Sequence, residues 1–562
     1  MRPMNMKNAI SKTQLLLTLM VAVALLSVTA FAAAPGITST NGTAATFNLT
    51  AQQAFLNQPD GESVYSWGYG CVAGTPTFVP AAITTGFCPT MQVPGPTLVV
   101  AEGATVTVNL VNNLPTSAGN TSILFPGFQV TATGGVAGIL TQEAAPGSTV
   151  TYTFKATSPG TRAYYSGTQG DLQIEMGLYG AIIVLPTTAG GTLPTCPVHN
   201  TAAGVNNATN PPTLVPSNEA DFRLAPPGAS APGAAYHVPQ SCYDREYLFQ
   251  FAEMDTNIHR TALAQVTSLG ACTAGAPGCY LAVPTEPYHP AYFLINGRSM
   301  PDDMDANYAA EYPHQPYNGD PHMHPGENTL IRVIGQGRWE HPFHEHANHV
   351  RILARDGNLI LAPDGQNLAG ILMFTTDTFP GQSFDGIFYF TGRGLNWDAY
   401  GHHPVGGTPA GFPIDPLASL PCTPDANGYN TGNLLAVNYY EWCADHNKPI
   451  QKAPFGDVNG GGPATLPDAN IFTNGPWYGG TPYLGPDATL RAGNANCDTV
   501  TNANCALLQP TNIQANPANE RGWAFMWHSH NEREITTNNV FPGGMLMMML
   551  VDTREFVIDE TN

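Results

Sequence analysis

The stretch Thr97-Leu-Val-Val-Ala-Glu-Gly-Ala-Thr-Val-Thr-Val-Asn-Leu-Val111 holds two strand patterns joined at Glu102-Gly103. Residues that alternate along a β-strand face opposite sides of a sheet, so alternating apolar side chains mark a half-buried strand. Outward from this stretch the pattern repeats. Ser148 to Phe154 alternates, and Gly180-Ala-Ile-Ile-Val-Leu185 reads as a buried closing strand. Residues 45–190 are therefore expected to form one β-domain. Residues 191–240 are rich in Pro, Ala, Gly and Asn and read as a linker.

Strand patterns return at Tyr247-Leu-Phe-Gln-Phe251. They continue at Asn328–Ile334, His349–Leu353 and Phe384–Phe390, resume at Trp523, and finish with Gly544-Met-Leu-Met-Met-Met-Leu-Val551. Residues 401–515 are again rich in Gly, Pro and Asn and lack enough alternating segments to build a sandwich. The expected second domain is thus 241–400 plus 516–555, with 401–515 as a long insertion. The rival parse is a third domain within 401–555.

Composition agrees with an all-β chain. Gly and Pro number 58 and 50, while charged residues are only 11%. Such a chain favours turns and short strands over long helices. Residues 1–32 read as a signal peptide. Arg2, Lys7 and Lys12 form a basic start, Leu15–Val28 an apolar run too short for a comfortable membrane span, and Ala30-Phe31-Ala32 a small-x-small cleavage site. The expectation is an exported protein, periplasmic, extracellular or at the cell surface, with no membrane span. Without the leader, 17 basic residues face 41 acidic ones. That balance disfavours nucleic acid. Ten cysteines suit an oxidising compartment. Proximity in sequence suggests Cys71–Cys88, Cys196–Cys242, Cys272–Cys279, Cys422–Cys443 and Cys497–Cys505, although sequence does not fix the connectivity.

Two histidine clusters carry the chemistry: His341-Pro-Phe-His344-Glu-His346-Ala-Asn-His349, and Trp527-His528-Ser-His530. Each holds a His-x-His step, which in a strand aims two imidazoles at one point. Four such imidazoles suit copper, iron or zinc. The bland alternative is a set of metal-free packing histidines bonded to nearby Glu345, Glu532 and Glu534. His322-Met-His324 forms another same-face pair. The Asn328–Ile334 strand separates it from His341, and a surface turn is its expected place. Met545, Met547 and Met549 share one strand face, where a core role is expected over Cu(I) binding because Met fills cores readily.

These segments resemble the multicopper oxidase family, which is built from cupredoxin β-sandwiches. Val93-Pro-Gly-Pro-Thr97, Pro159-Gly-Thr-Arg-Ala-Tyr-Tyr-Ser166 and Gly177-Leu-Tyr-Gly-Ala-Ile-Ile-Val184 are similar to its first-domain landmarks. His341-Pro-Phe-His344-Glu-His346 resembles its H-P-x-H-x-H, and His528-Ser529-His530 with Gly544-Met545 resembles its H-C-H…G-M. The resemblance implies tandem cupredoxin-like Greek-key β-sandwiches. It implies metal ligation by His341, His344, His346, His528, His530 and Met545, with Glu534 falling near the family's second blue-copper histidine.

The departures are as informative. Leu124-Phe-Pro-Gly127 stands where the family has H-x-H-G, and Tyr165-Ser-Gly167 where it has H-S-H. Ser529 replaces the cysteine whose thiolate makes a blue-copper centre, and a hydroxyl is too hard to substitute. The resulting expectation is an exported protein that binds copper, or Fe or Mn, at a four-His site. Its partners would be metal ions and a metal-ion or small-molecule reductant, with oxidoreductase activity; the oligomeric state is left open. The runner-up is a non-catalytic structural, cell-surface or copper-storage protein.

Overall fold

The computed structural model describes residues 34–38, 43–72, 76–80, 85–196, 203–206, 213–216, 233–390 (except 325, 348 and 366), 423–432, 443, 480–484, 521–552 and 558. The leader and nearly all of 401–515 lie outside them.

The Thr97–Val111 stretch folds as two strands, Leu98–Ala101 and Thr105–Asn112, which enter different sheets. Leu98–Ala101 lies parallel to Gly36–Thr38 on one side and to Tyr179–Leu185 on the other. Thr105–Asn112 lies between Ala44–Asn57, parallel, and Thr149–Lys155, antiparallel. Both sheets have five strands. Val106, Val108, Leu110, Val150, Tyr152, Ile182 and Val184 are buried in one core between them. The alternation read from sequence is this inward face.

The second sandwich stacks a seven-stranded sheet on a six-stranded one. The former is built around Arg245–Met254, Asn328–Gly335 and Ser383–Tyr389. In the latter, Leu546–Asp552, Arg521–Ser529, His341–Glu345 and Thr375–Thr378 lie side by side. Its core is aromatic and sulfur-rich. Phe249, Phe343, Phe388 and Trp527 meet edge to face or tilted, and Met545, Met547 and Met549 are fully buried among them. The architecture is all-β, as tandem cupredoxin-like sandwiches require, with parallel and antiparallel pairs in non-sequential strand order.

The sandwiches are joined through a buried polar seam. Thr161 donates from Oγ1 to Asp385 at 2.6 Å, Arg332 donates to Thr161 Oγ1 at 3.0 Å, and Ser383 Oγ donates to the Thr161 carbonyl at 2.6 Å. Arg332 is ion-paired with Glu246 and Asp385. An apolar contact adds to this seam. The composition pointed away from helices, yet Thr256–Leu269 is an α-helix. Asp255 caps it, accepting from Asn257 N at 2.9 Å. Its apolar positions recur at helical spacing, and Ile258 and Ala262 enter the core of the first sandwich.

Cys71–Cys88, Cys196–Cys242 and Cys272–Cys279 are disulfide-bonded, as proximity suggested. Cys443 is also disulfide-bonded; Cys422, Cys497 and Cys505 lie outside the described residues. Among the described residues no cysteine is free, and no helix is long and apolar enough to cross a membrane.

Candidate metal centre

Strand register assembles the centre. His341–Glu345 runs antiparallel to Arg521–Ser529, with Phe343 opposite Ser529 and His344 opposite His528. Phe343 and Trp527 point into the core, so His344 and His528 share the other face. His346 follows on that face, and its backbone N–H donates to the Met526 carbonyl at 3.3 Å.

Ligand atoms of His344, His346 and His528 all lie within 4.8 Å of one another. The Nε2 atoms of His346 and His528 are 3.2 Å apart. Two nitrogens each about 2.0 Å from one ion, at a tetrahedral angle, stand about 3.3 Å apart, so this spacing suits a shared metal. Hydrogen bonds on the far nitrogen fix two of the rings. His528 Nδ1 faces the Ser529 carbonyl at 2.6 Å and must carry the proton there. His344 Nδ1 faces Thr375 Oγ1, also at 2.6 Å. Both rings thus turn Nε2 toward the cluster, the usual arrangement for ligating histidines.

The electrostatics also suit a metal. Burial, and then the three neighbouring imidazoles, push His344 down to about 3. Burial lowers His528 as well. These rings stay neutral at physiological pH and keep their lone pairs for an ion. His530 lies at the rim. Its ring centroid is 4.7 Å from that of His344, and its side chain is half exposed, 3.7 Å from the exposed Glu532.

The remaining sequence-derived candidates sit elsewhere. His341 is fully buried between two carboxylates, with Nδ1 2.8 Å from Glu534 and Nε2 2.9 Å from Glu253. Burial works against its charge, but the two carboxylate hydrogen bonds outweigh it and hold the ring at about 9. Both nitrogens therefore act as donors. Ser529 Oγ donates to the same Glu534 oxygen, and Asn531 Nδ2 donates to the other at 2.9 Å. Where the family places a blue-copper centre, this chain has a closed hydrogen-bonded cluster of Glu253, His341, Glu534 and Ser529. Met545 is buried in the core beside it.

Glu345 points away from the histidines into the protein. It is fully buried, and burial raises its carboxyl well above the usual range. His322 and His324 correct the surface-turn expectation. Both are buried, because His322–Met323 adds as a short parallel strand to Leu546–Asp552. They are not part of the three-imidazole cluster.

In the first sandwich, Leu124, Pro126, Tyr165 and Gly167 stand at the positions of the missing histidines, and neutral polar groups nearby bond one another. Ser166 Oγ and Thr121 Oγ1 both donate to Gln173 Oε1, at 2.7 and 2.9 Å. Ser122 Oγ bonds Thr168 Oγ1 at 2.8 Å. Sequence reading missed Glu253 and Thr375. A single acid within the otherwise uncharged residues 247–254 was a usable signal for the first, since a buried carboxylate needs a partner. Nothing near Thr375 marks it.

Residues 84–189 match the family model described as multicopper oxidase. Over its first sandwich the chain thus resembles the multicopper oxidase family. It is 37% identical over 98 residues to the multicopper oxidase MCE of Talaromyces pinophilus, a match covering 17% of this chain and 15% of that protein. It is also similar to a solved multicopper oxidase, mgLAC, at 14% identity and TM-score 0.40, covering 92% of this chain and 87% of that one. A blue copper oxidase from Nitrosomonas europaea is similar at 15% identity and TM-score 0.39, covering 90% and 85%. Copper is the cofactor that this resemblance implies, and the three-imidazole donor set fits it.

Proposed function

We propose that His344, His346 and His528 hold a copper ion, with His530 closing the site at the rim. On this reading the chain is an exported copper protein that exchanges electrons with metal ions or small reductants. The convergence of three neutral imidazoles, two of them oriented by Thr375 and the Ser529 carbonyl, carries the reading. When bound, copper supplies a one-electron couple.

The chain's residues set the limits of that chemistry. Ser529 and His341 both bond Glu534 and leave no thiolate for a second, blue centre. The first sandwich has Leu124, Pro126, Tyr165 and Gly167 where further histidines would be needed. The proposal is therefore one imidazole-ligated centre, without the coupled pair of sites that oxygen reduction uses in the family.

A second reading has one observation in its favour. In a metal-free chain, His346 Nε2–H can donate to His528 Nε2 across the same 3.2 Å. A structural protein would use the cluster in that way, and a storage protein would do so only when empty. Metal analysis with EPR on the purified protein separates the two. About one redox-active copper per chain, lost in His528→Ala, supports the first. No bound metal, or metal with no redox response, supports the second.

A further inference from the structure

Building on that copper reading, we propose that Met526 supplies a thioether to the His344–His346–His528 centre and makes it selective for monovalent copper. The register carries the argument. His344 lies opposite His528. The same antiparallel pairing, extended by the bond from His346 N to the Met526 carbonyl, sets His346 opposite Met526. Each strand thus gives two residues to one face of the sheet, and three of these four corners are the converging imidazoles. Directly opposite residues have Cβ atoms about 4.5–5.5 Å apart, within reach of a long side chain. Met526 is the fourth corner.

Its orientation follows from its neighbours. Phe525 and Trp527 are fully buried in the core, so Met526 between them points out beside the histidines. It is half-buried and outside that core, unlike Met545, Met547 and Met549. Met548 stands opposite Met526 on its other side. A thioether is soft, neutral and flexible. Softness favours Cu(I) over Zn(II) or Fe(II), for which imidazole alone is adequate, and over Mn(II), which prefers oxygen ligands.

The test uses the full chain as wild type, Met526→Leu and His528→Ala. Each is titrated with Cu(I) against a chromophoric chelator, and with Zn(II) and Cu(II). Copper K-edge absorption reports whether sulfur is a scatterer. Met526→Leu is expected to lose roughly tenfold in Cu(I) affinity, to lose the Cu–S signal, and to keep its Zn(II) affinity and metal-free melting temperature. Wild-type Cu(I) affinity in Met526→Leu, alongside loss in His528→Ala, overturns the thioether and leaves the histidine centre intact. Equal loss for every metal in Met526→Leu assigns the side chain to packing and also overturns it. Unchanged binding in His528→Ala overturns the histidine centre, and the thioether with it.

Discussion

Raising the pH should unlock the second sandwich through His341. The ring holds its proton up to about 9, against an ordinary value of 6.5. The folded state binds that proton more tightly than the unfolded chain does. Its contribution to stability is complete below about pH 6.5 and disappears as pH climbs through about 9. At 1.36 kcal/mol per pH unit, the difference between 6.5 and about 9 corresponds to about 3 kcal/mol. The cause is specific. Once the ring is neutral, one of its nitrogens can no longer donate, and either Glu253 or Glu534 faces a lone pair in a fully buried site. The assay is denaturant unfolding at pH values from about 6 to about 9.5, with wild type compared with His341→Gln. The wild type should lose most of this increment, and the variant, lacking the titrating group, should show a much flatter profile. A wild-type profile that is flat over that range, or the same slope in both proteins, would refute the clamped imidazolium.

The copper-loaded protein should lack the intense band near ~600 nm of a Cu–thiolate centre. Ser529→Cys alone should not create it, because Glu534 occupies His341 Nδ1; a strong band in that single variant would show that the His341–Glu534 pair opens readily. Metal should raise the melting temperature of the wild type, and His528→Ala should abolish most of the rise, whereas Glu532→Ala, on an exposed side chain, should retain it. Equal shifts in all three proteins would place the ion elsewhere. Cys71, Cys88, Cys196, Cys242, Cys272 and Cys279 should react with no thiol reagent before reduction, and labelling of any of them in the native protein would contradict the three bridges.

The sequence exposed the strands well because their alternation is local. Thr105–Asn112 and Thr149–Lys155 follow their apolar periods closely. The helix Thr256–Leu269 was obscured by the surrounding Gly- and Pro-rich composition, although Asp255 and the spacing of Ile258, Ala262 and Val266 signalled it. His-x-His spacing made the three-imidazole centre legible, since period-two geometry settles which side chains share a face. The fate of His341 was not legible. It depends on Glu253, 88 positions away in sequence, and on Glu534, 193 away, and no short-range pattern joins them. His322 and His324 went unread for a similar reason, because their burial comes from a parallel strand far along the chain.

The helix also bears on how such a protein can change over evolutionary time. Ile258 and Ala262, with Leu281, Val283 and Tyr288, complete the interior of the first sandwich although they belong to the chain beyond it. Cutting the gene between the two sandwiches would leave the first with a hole and the second with a greasy, unshielded helix. Neither half is a free module for duplication, loss or recombination with foreign domains. Individual side chains of the first sandwich could therefore change residue by residue while the sandwich itself had to stay.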